Sequence, residues 1–150
     1  MSPAAEITSY LNAGYQQAAR NASDVLIMDD TGTTIAELRD VVRRFVEERD
    51  WQQFHAPKNL SMSLAIEAAE LMEHFQWISA NESRKVGADA EKLTAIGEEL
   101  ADVFCYTLAI ANELDIDLSA ATAEKLDKNA QKYPAEEFRG RYGPEDESAP

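Results

Sequence analysis

Apolar residues recur at helical spacing along most of the chain, and no stretch shows the apolar–polar alternation of a half-buried strand. Ile35, Leu38, Val42, Phe45 and Val46 predict a first helix over 35–49. Thr34 and Glu37 supply a capping box for it: the threonine accepts an early helix N–H and the glutamate reaches back. A loop over 51–59 contains Pro57. Leu64, Leu71, Phe75 and Ile78 then form the stripe of a second helix over 60–79. Residues 81–89 hold Gly87 and charges and predict a loop. Leu93, Ile96, Leu100, Val103 and Leu114 mark a third helix over 90–114. Asp117 is the N-cap of a fourth over 118–132, which Pro134 ends. Four helices with short links predict an all-α fold, an antiparallel four-helix bundle. A bundle this small leaves apolar faces uncovered, so assembly into a homo-oligomer is expected.

The ends are patterned differently. Ile7, Tyr10 and Leu11 allow one short helix, Val25-Leu26-Ile27-Met28 is a brief apolar run, and Asp29-Asp30-Thr31-Gly32 is turn-like. The expected organisation is an N-terminal extension (1–33), one domain (34–139) and an acidic tail (140–150).

Composition narrows the function. Hydrophobic residues make up 45% of the chain, as in a globular protein. The net charge of −14 repels nucleic-acid polymers, so no such partner is expected. A polyanionic nucleotide remains admissible if divalent cations neutralise its phosphates beside a carboxylate cluster. No apolar run has the length of a membrane span, no leader pattern opens the chain, and Cys105 stands alone, so a cytoplasmic location without membrane attachment is expected.

Such a cluster is present. The second helix carries Glu67 and Glu70, the third Glu99 and Asp102, each pair at i, i+3 and so on one face. Like charges at that spacing repel unless a cation lies between them. At about 100° per residue, Glu67 and Glu70 lie roughly 60° and 120° to one side of Leu64, and Glu99 and Asp102 roughly 100° and 160° from Leu100. Both pairs thus flank their own apolar stripe and converge if the helices are antiparallel neighbours. Oxygen-only ligands suit Mg²⁺, or Mn²⁺, rather than zinc. The spacing alone fits a solvated acidic surface equally well.

Trp77 and Tyr106 share these faces, and Trp51 and Phe54 precede the second helix, so an aromatic can stack a base while a metal takes the phosphates; ordinary core aromatics are the alternative. Lys125, Asn129 and Lys132 share one face of the fourth helix and can meet phosphates or simply be solvated. Neither His55 nor His74 forms a Glu-x-x-His pair, which disfavours a di-iron bundle. Cys105, beside Phe104, reads as a packed thiol. No nucleophile elbow or phosphate loop occurs.

Taken together, E-x-x-E at Glu67 and Glu70, a gap, then E-x-x-D at Glu99 and Asp102 resembles the MazG-like all-α NTP pyrophosphohydrolase superfamily. Glu48-Arg49-Asp50-Trp51, Gln53-Phe54-His55, Pro57-Lys58-Asn59-Leu60, Phe75-Gln76-Trp77, the run from Glu98 to Val103, and Asn129 through Tyr133-Pro134 resemble its dCTP pyrophosphatase branch. The resemblance implies that the four acids bind Mg²⁺ and that water attacks the α-phosphorus, releasing nucleoside monophosphate and pyrophosphate. It implies Glu67 or Glu98 as the residue that orients or deprotonates the water. Trp51, Trp77 and Tyr106 match base-enclosing positions, Lys125 and Asn129 polar positions near the phosphates. It also implies dimers or tetramers, with some site residues acting across chains. One departure stands out: related dCTP-preferring chains carry a histidine nine residues before the loop tryptophan, and here that position is Val42. Base selectivity therefore stays open between dCTP-like nucleotides, dUTP and a broad NTP range. A non-catalytic helical scaffold is the alternative of another class.

Overall fold

The computed structural model describes residues 28–141. The short helix expected near Ile7 and the acidic tail from 142 on lie outside them. All regular structure among the described residues is helical. Four long helices carry it: α1 (Ile35–Glu47), α2 (Pro57–Glu73), α3 (Ala90–Glu113) and α4 (Leu118–Lys132). None is long and apolar enough to cross a membrane. The chain divides into two compact units, one ending at Leu114 and one beginning at Asp115. α1, α2 and α3 belong to the first, α4 to the second.

The helix starts follow local chemistry. Thr34 and Glu37 form the expected capping box on α1. Asp89 accepts the Lys92 N–H at the start of α3, and Asp117 accepts the Ala120 N–H at the start of α4. Two boundaries differ from the sequence expectation. Pro57 sits in the first turn of α2 rather than in the loop, because a proline there lacks only an N–H that would be orphaned anyway. α2 ends at Glu73, not near Ser79. Past it, Phe75 N–H bonds Met72 O and Ile78 N–H bonds Phe75 O, three residues back rather than four. Ser79 and Glu82 then cap a separate one-turn helix, Ala80–Ser83, inside the segment expected to be loop, and Val86–Ala88 adds a 3₁₀ turn.

In the first unit α3 is central, packing most extensively on α2 and next on α1. Leu60 from α2 and Leu108, Ala109 and Ala111 from α3 are its buried apolar residues among those described. The alanines let a neighbouring backbone approach closely. A reciprocal polar clasp fixes α1 on α3. Arg39 donates through Nε to Asn112 Oδ1 (2.9 Å) and through Nη2 to Ala111 O (3.1 Å), while Asn112 Nδ2 donates to Arg39 O (2.9 Å). Arg39 lies near the start of α1 and Asn112 near the end of α3, so the two helices run antiparallel.

Candidate active site

Packing α2 along α3 brings three carboxylates together. Glu67 and Glu70 of α2 and Glu99 of α3 each offer an oxygen within 4.8 Å of the others. Glu67 and Glu99 are half-buried and Glu70 is exposed. Desolvation pushes the Glu67 carboxyl above the ordinary glutamate value, and the charges of Glu70, Asp102 and Glu99 add to the rise. Asp102 thus acts electrostatically on Glu67 without being part of the tight cluster. Glu98 is exposed and lies outside the cluster. Three hard oxygen donors converging from two helices, with mutual repulsion left to be neutralised, suit a divalent cation such as Mg²⁺ or Mn²⁺.

A cleft of about 450 Å³ opens beside the acids. Its walls are Val41, Val42, Phe45 and Val46 of α1, Trp51 and His55 of the following loop, and Asp102, Cys105, Tyr106 and Ala109 of α3. Asp102 therefore links the two: it lines the cleft, and its charge acts on Glu67. The volume is within the range of small-molecule sites, and the lining is mostly apolar and aromatic.

The exit from α1 aims Trp51 at this cleft. Trp51 N–H bonds Val46 O (3.1 Å) and Asp50 N–H bonds Glu47 O (3.0 Å), the pattern of a Schellman turn, with Asp50 in the left-handed region at φ 51°. The turn folds Trp51 back onto Phe45, edge to face at 5.9 Å. Arg49 lies over the other partner of this pair, 3.7 Å from the Phe45 ring centre. His55 is tied to the same loop: its Nδ1 is 2.8 Å from Trp51 O, and its ring runs within 19° of parallel to the indole, centroids 6.5 Å apart. Asn59 at the start of α2 donates to Phe54 O (3.1 Å) and closes the loop.

Of the residues singled out in the sequence, Glu67, Glu70 and Glu99 cluster, and Trp51, Asp102 and Tyr106 line the cleft. Trp77 lies in the turns beyond the end of α2, not on the helix, so its helical alignment with Glu70 does not hold; it is 87% exposed and does not line the cleft of its own chain. Lys125 and Asn129 sit on α4, in the second unit. Cys105 is exposed on the cleft wall rather than packed, and desolvation, then the Asp102 charge, pushes its thiol above the usual value. Phe45 and Val46 line the cleft although their spacing marks them as ordinary stripe positions of α1, and Ala109 carries no signal of its own in the sequence. The signal for Phe45 was Trp51 itself, six residues on across a helix exit.

Three comparisons bear on this site. The sequence model of the MazG-like family matches residues 62–142. The dCTP pyrophosphatase 1 proteins of Mus musculus and Homo sapiens are each 40% identical, over 107 and 102 residues, covering 71% and 68% of this chain. The chain spans 63% and 60% of their lengths. The crystal structure of a pyrophosphatase from Archaeoglobus fulgidus DSM 4304 superposes with a TM-score of 0.63 at 37% identity, covering 71% of this chain and 98% of that one.

Proposed function

This chain belongs to the MazG-like family, and we propose that it is a nucleoside triphosphate pyrophosphohydrolase that cleaves between the α and β phosphates of dCTP-like nucleotides. The observation that carries the reading is the shared wall at Asp102. It acts on Glu67 in the carboxylate cluster and lines the aromatic cleft, so a charge site and a base-sized apolar site adjoin.

Glu67, Glu70, Glu99 and Asp102 would hold Mg²⁺, with Mn²⁺ as the alternative. When bound, the ion supplies Lewis acidity toward the phosphate oxygens and neutralises the charge of the departing pyrophosphate. Glu67, inside the cluster, orients or deprotonates the attacking water; Glu98, outside it, is the second choice for that role. Trp51 and Tyr106 hold the base in the cleft, and Asp102 stands where the cleft meets the acids. The family resemblance is what offers Lys125 and Asn129 of α4 as contacts to phosphate oxygens. Trp77 joins a base site from a neighbouring copy of the chain in a dimer or tetramer. The activity is assigned to residues 34–139.

A second reading, turnover of dUTP or a broad NTP range, is favoured by Val42, whose aliphatic wall offers no hydrogen bond to a base. The test is to incubate the protein with the deoxy- and ribonucleoside triphosphates and 5-methyl-dCTP, with Mg²⁺ or EDTA, and to quantify monophosphate and pyrophosphate. Mg²⁺-dependent release that is fastest for cytosine nucleotides and abolished by Glu70→Gln supports the first reading. Preference for another base supports the second. No turnover from folded protein means a scaffold whose acids have lost their role.

A further inference from the structure

The apolar run that ends at Met28 has no part in the nucleotide reading, and neither has a groove that it adjoins. The groove, of about 600 Å³, runs along α1 over Ala36, Glu37, Asp40, Val41 and Arg44, and Met28 stands at its edge. We propose that this groove is the seat of the chain's own segment Val25-Leu26-Ile27, which together with Met28 covers the face of α1 beside the cleft.

Those three residues lie outside the described part of the chain, but their attachment lies inside it. Met28, to which Ile27 is bonded, is half-buried and already lines the groove. The turn that follows holds it there. Asp29 Oδ1 accepts the N–H groups of Thr31 (2.8 Å) and Gly32 (2.9 Å), Asp29 O accepts that of Thr33 (3.1 Å), and Asp29 N–H donates to Thr33 Oγ1 (3.2 Å). These bonds reverse the chain directly before α1, so Met28 stands beside the helix that the turn leads into. From Met28, three extended residues reach roughly 10 Å, and the groove follows about 12 Å of α1 from Ala36 to Arg44. The tether matches the groove, and so short a link keeps the ordering cost of docking small.

The charges select an apolar occupant. Glu37 accepts the Thr34 N–H (2.7 Å) and hydroxyl (2.8 Å), and Asp40 pairs with Arg43 and with Arg44 (3.4 Å). A charged ligand would have to displace these partners. Ala36, Val41 and Met28 instead offer apolar surface that Val25, Leu26 and Ile27 can bury. Val41 also lines the cleft, so an occupied groove backs one of its walls.

The test is hydrogen exchange of the α1 amides of residues 36–44, measured in the whole chain. Compared are wild type, Leu26→Asp with Ile27→Asp, the milder Leu26→Ala, and a control, Ile7→Asp with Leu11→Asp, which makes the same chemical change farther up the chain. Loss of two buried aliphatic side chains is expected to speed exchange at 36–44 by at least about tenfold, with the α2 amides unchanged. Leu26→Ala should move the same amides in the same direction by a smaller factor, and it carries the test if the double variant unfolds α2 as well. The control should stay within about twofold of wild type. Unchanged exchange at 36–44 in the Leu26 variants overturns the proposal. Protection that rises with protein concentration and ignores Leu26 also overturns it, because a second copy then fills the groove. Equal loss of protection in the control overturns it too, because added charge in the extension is then the cause.

Discussion

Glu67 shows how a single residue couples this fold to its conditions. Its folded-state carboxyl is raised by desolvation and by three neighbouring acids, so the folded chain holds its proton to higher pH than the unfolded chain does. A raised carboxylate pKa costs stability when the group ionises. The cost is absent below the ordinary glutamate value, grows as pH rises toward the folded-state value, and is fully present above it. In EDTA, Glu67→Gln is therefore expected to melt above wild type at pH 7, with the difference vanishing near pH 4, as differential scanning calorimetry would show. Adding Mg²⁺ should reverse the order at neutral pH, because wild type gains a ligand that the amide variant binds weakly. At Asp50 the strain is in the backbone. A non-glycine residue at φ 51° costs about 1–2 kcal/mol, less for Asp than for a β-branched side chain. Asp50→Gly should accordingly stabilise the chain by roughly 0.5–1 kcal/mol in urea unfolding, and Asp50→Val should destabilise it while displacing Trp51 and shifting its emission.

Among the elements, the joint between α1 and α3 depends on a few named bonds. The Arg39–Asn112 clasp satisfies part-buried groups on both helices, so removing one partner strands the other. Asn112→Ala is expected to cost about 1–3 kcal/mol, and a double-mutant cycle with Arg39→Ala should show strong coupling. The clasp also holds the walls of the cleft, so activity should fall with it. Nothing in the sequence marked it, since an Arg and an Asn 73 positions apart carry no local pattern. What was legible was local: the caps at Thr34 and Asp117, the periodicity of α1 and α3, the facing acids of α2 and α3. The end of α2 was not. Phe75 and Ile78 keep a spacing that both an α-helix and a string of three-residue turns satisfy, and only the Ser79–Glu82 box marks the restart. The cleft was half legible, because Trp51 and Tyr106 stood out by type whereas His55 and Phe45 acquire their meaning from a Schellman turn.

Among the described residues, packing leaves much apolar surface uncovered. Few residues are buried among those described, and large apolar side chains line the outside of the two helices that carry the acids. Met62 and Ile66 of α2 are 57% and 54% exposed, Leu93 and Leu100 of α3 50% and 56%. Exposed apolar side chains in such number favour association over a stable monomer. Met62 and Ile66 are one turn apart, as are Leu100 and Phe104, so each helix presents a stripe rather than scattered residues. The net charge of −14 opposes bringing two copies together, and salt screens that repulsion while leaving the apolar gain intact. Light scattering is therefore expected to give a mass at least twice that of one chain, held more tightly at 0.5 M NaCl than at low salt. A double substitution, Met62→Lys with Ile66→Lys, should shift it to monomer. If Trp77 serves the site of a neighbouring copy, that monomer keeps its cation affinity, because Glu67, Glu70 and Glu99 come from one chain, but loses base affinity. A monomeric wild type would return Trp77 to the role of a surface residue and confine the site to the cleft of a single chain.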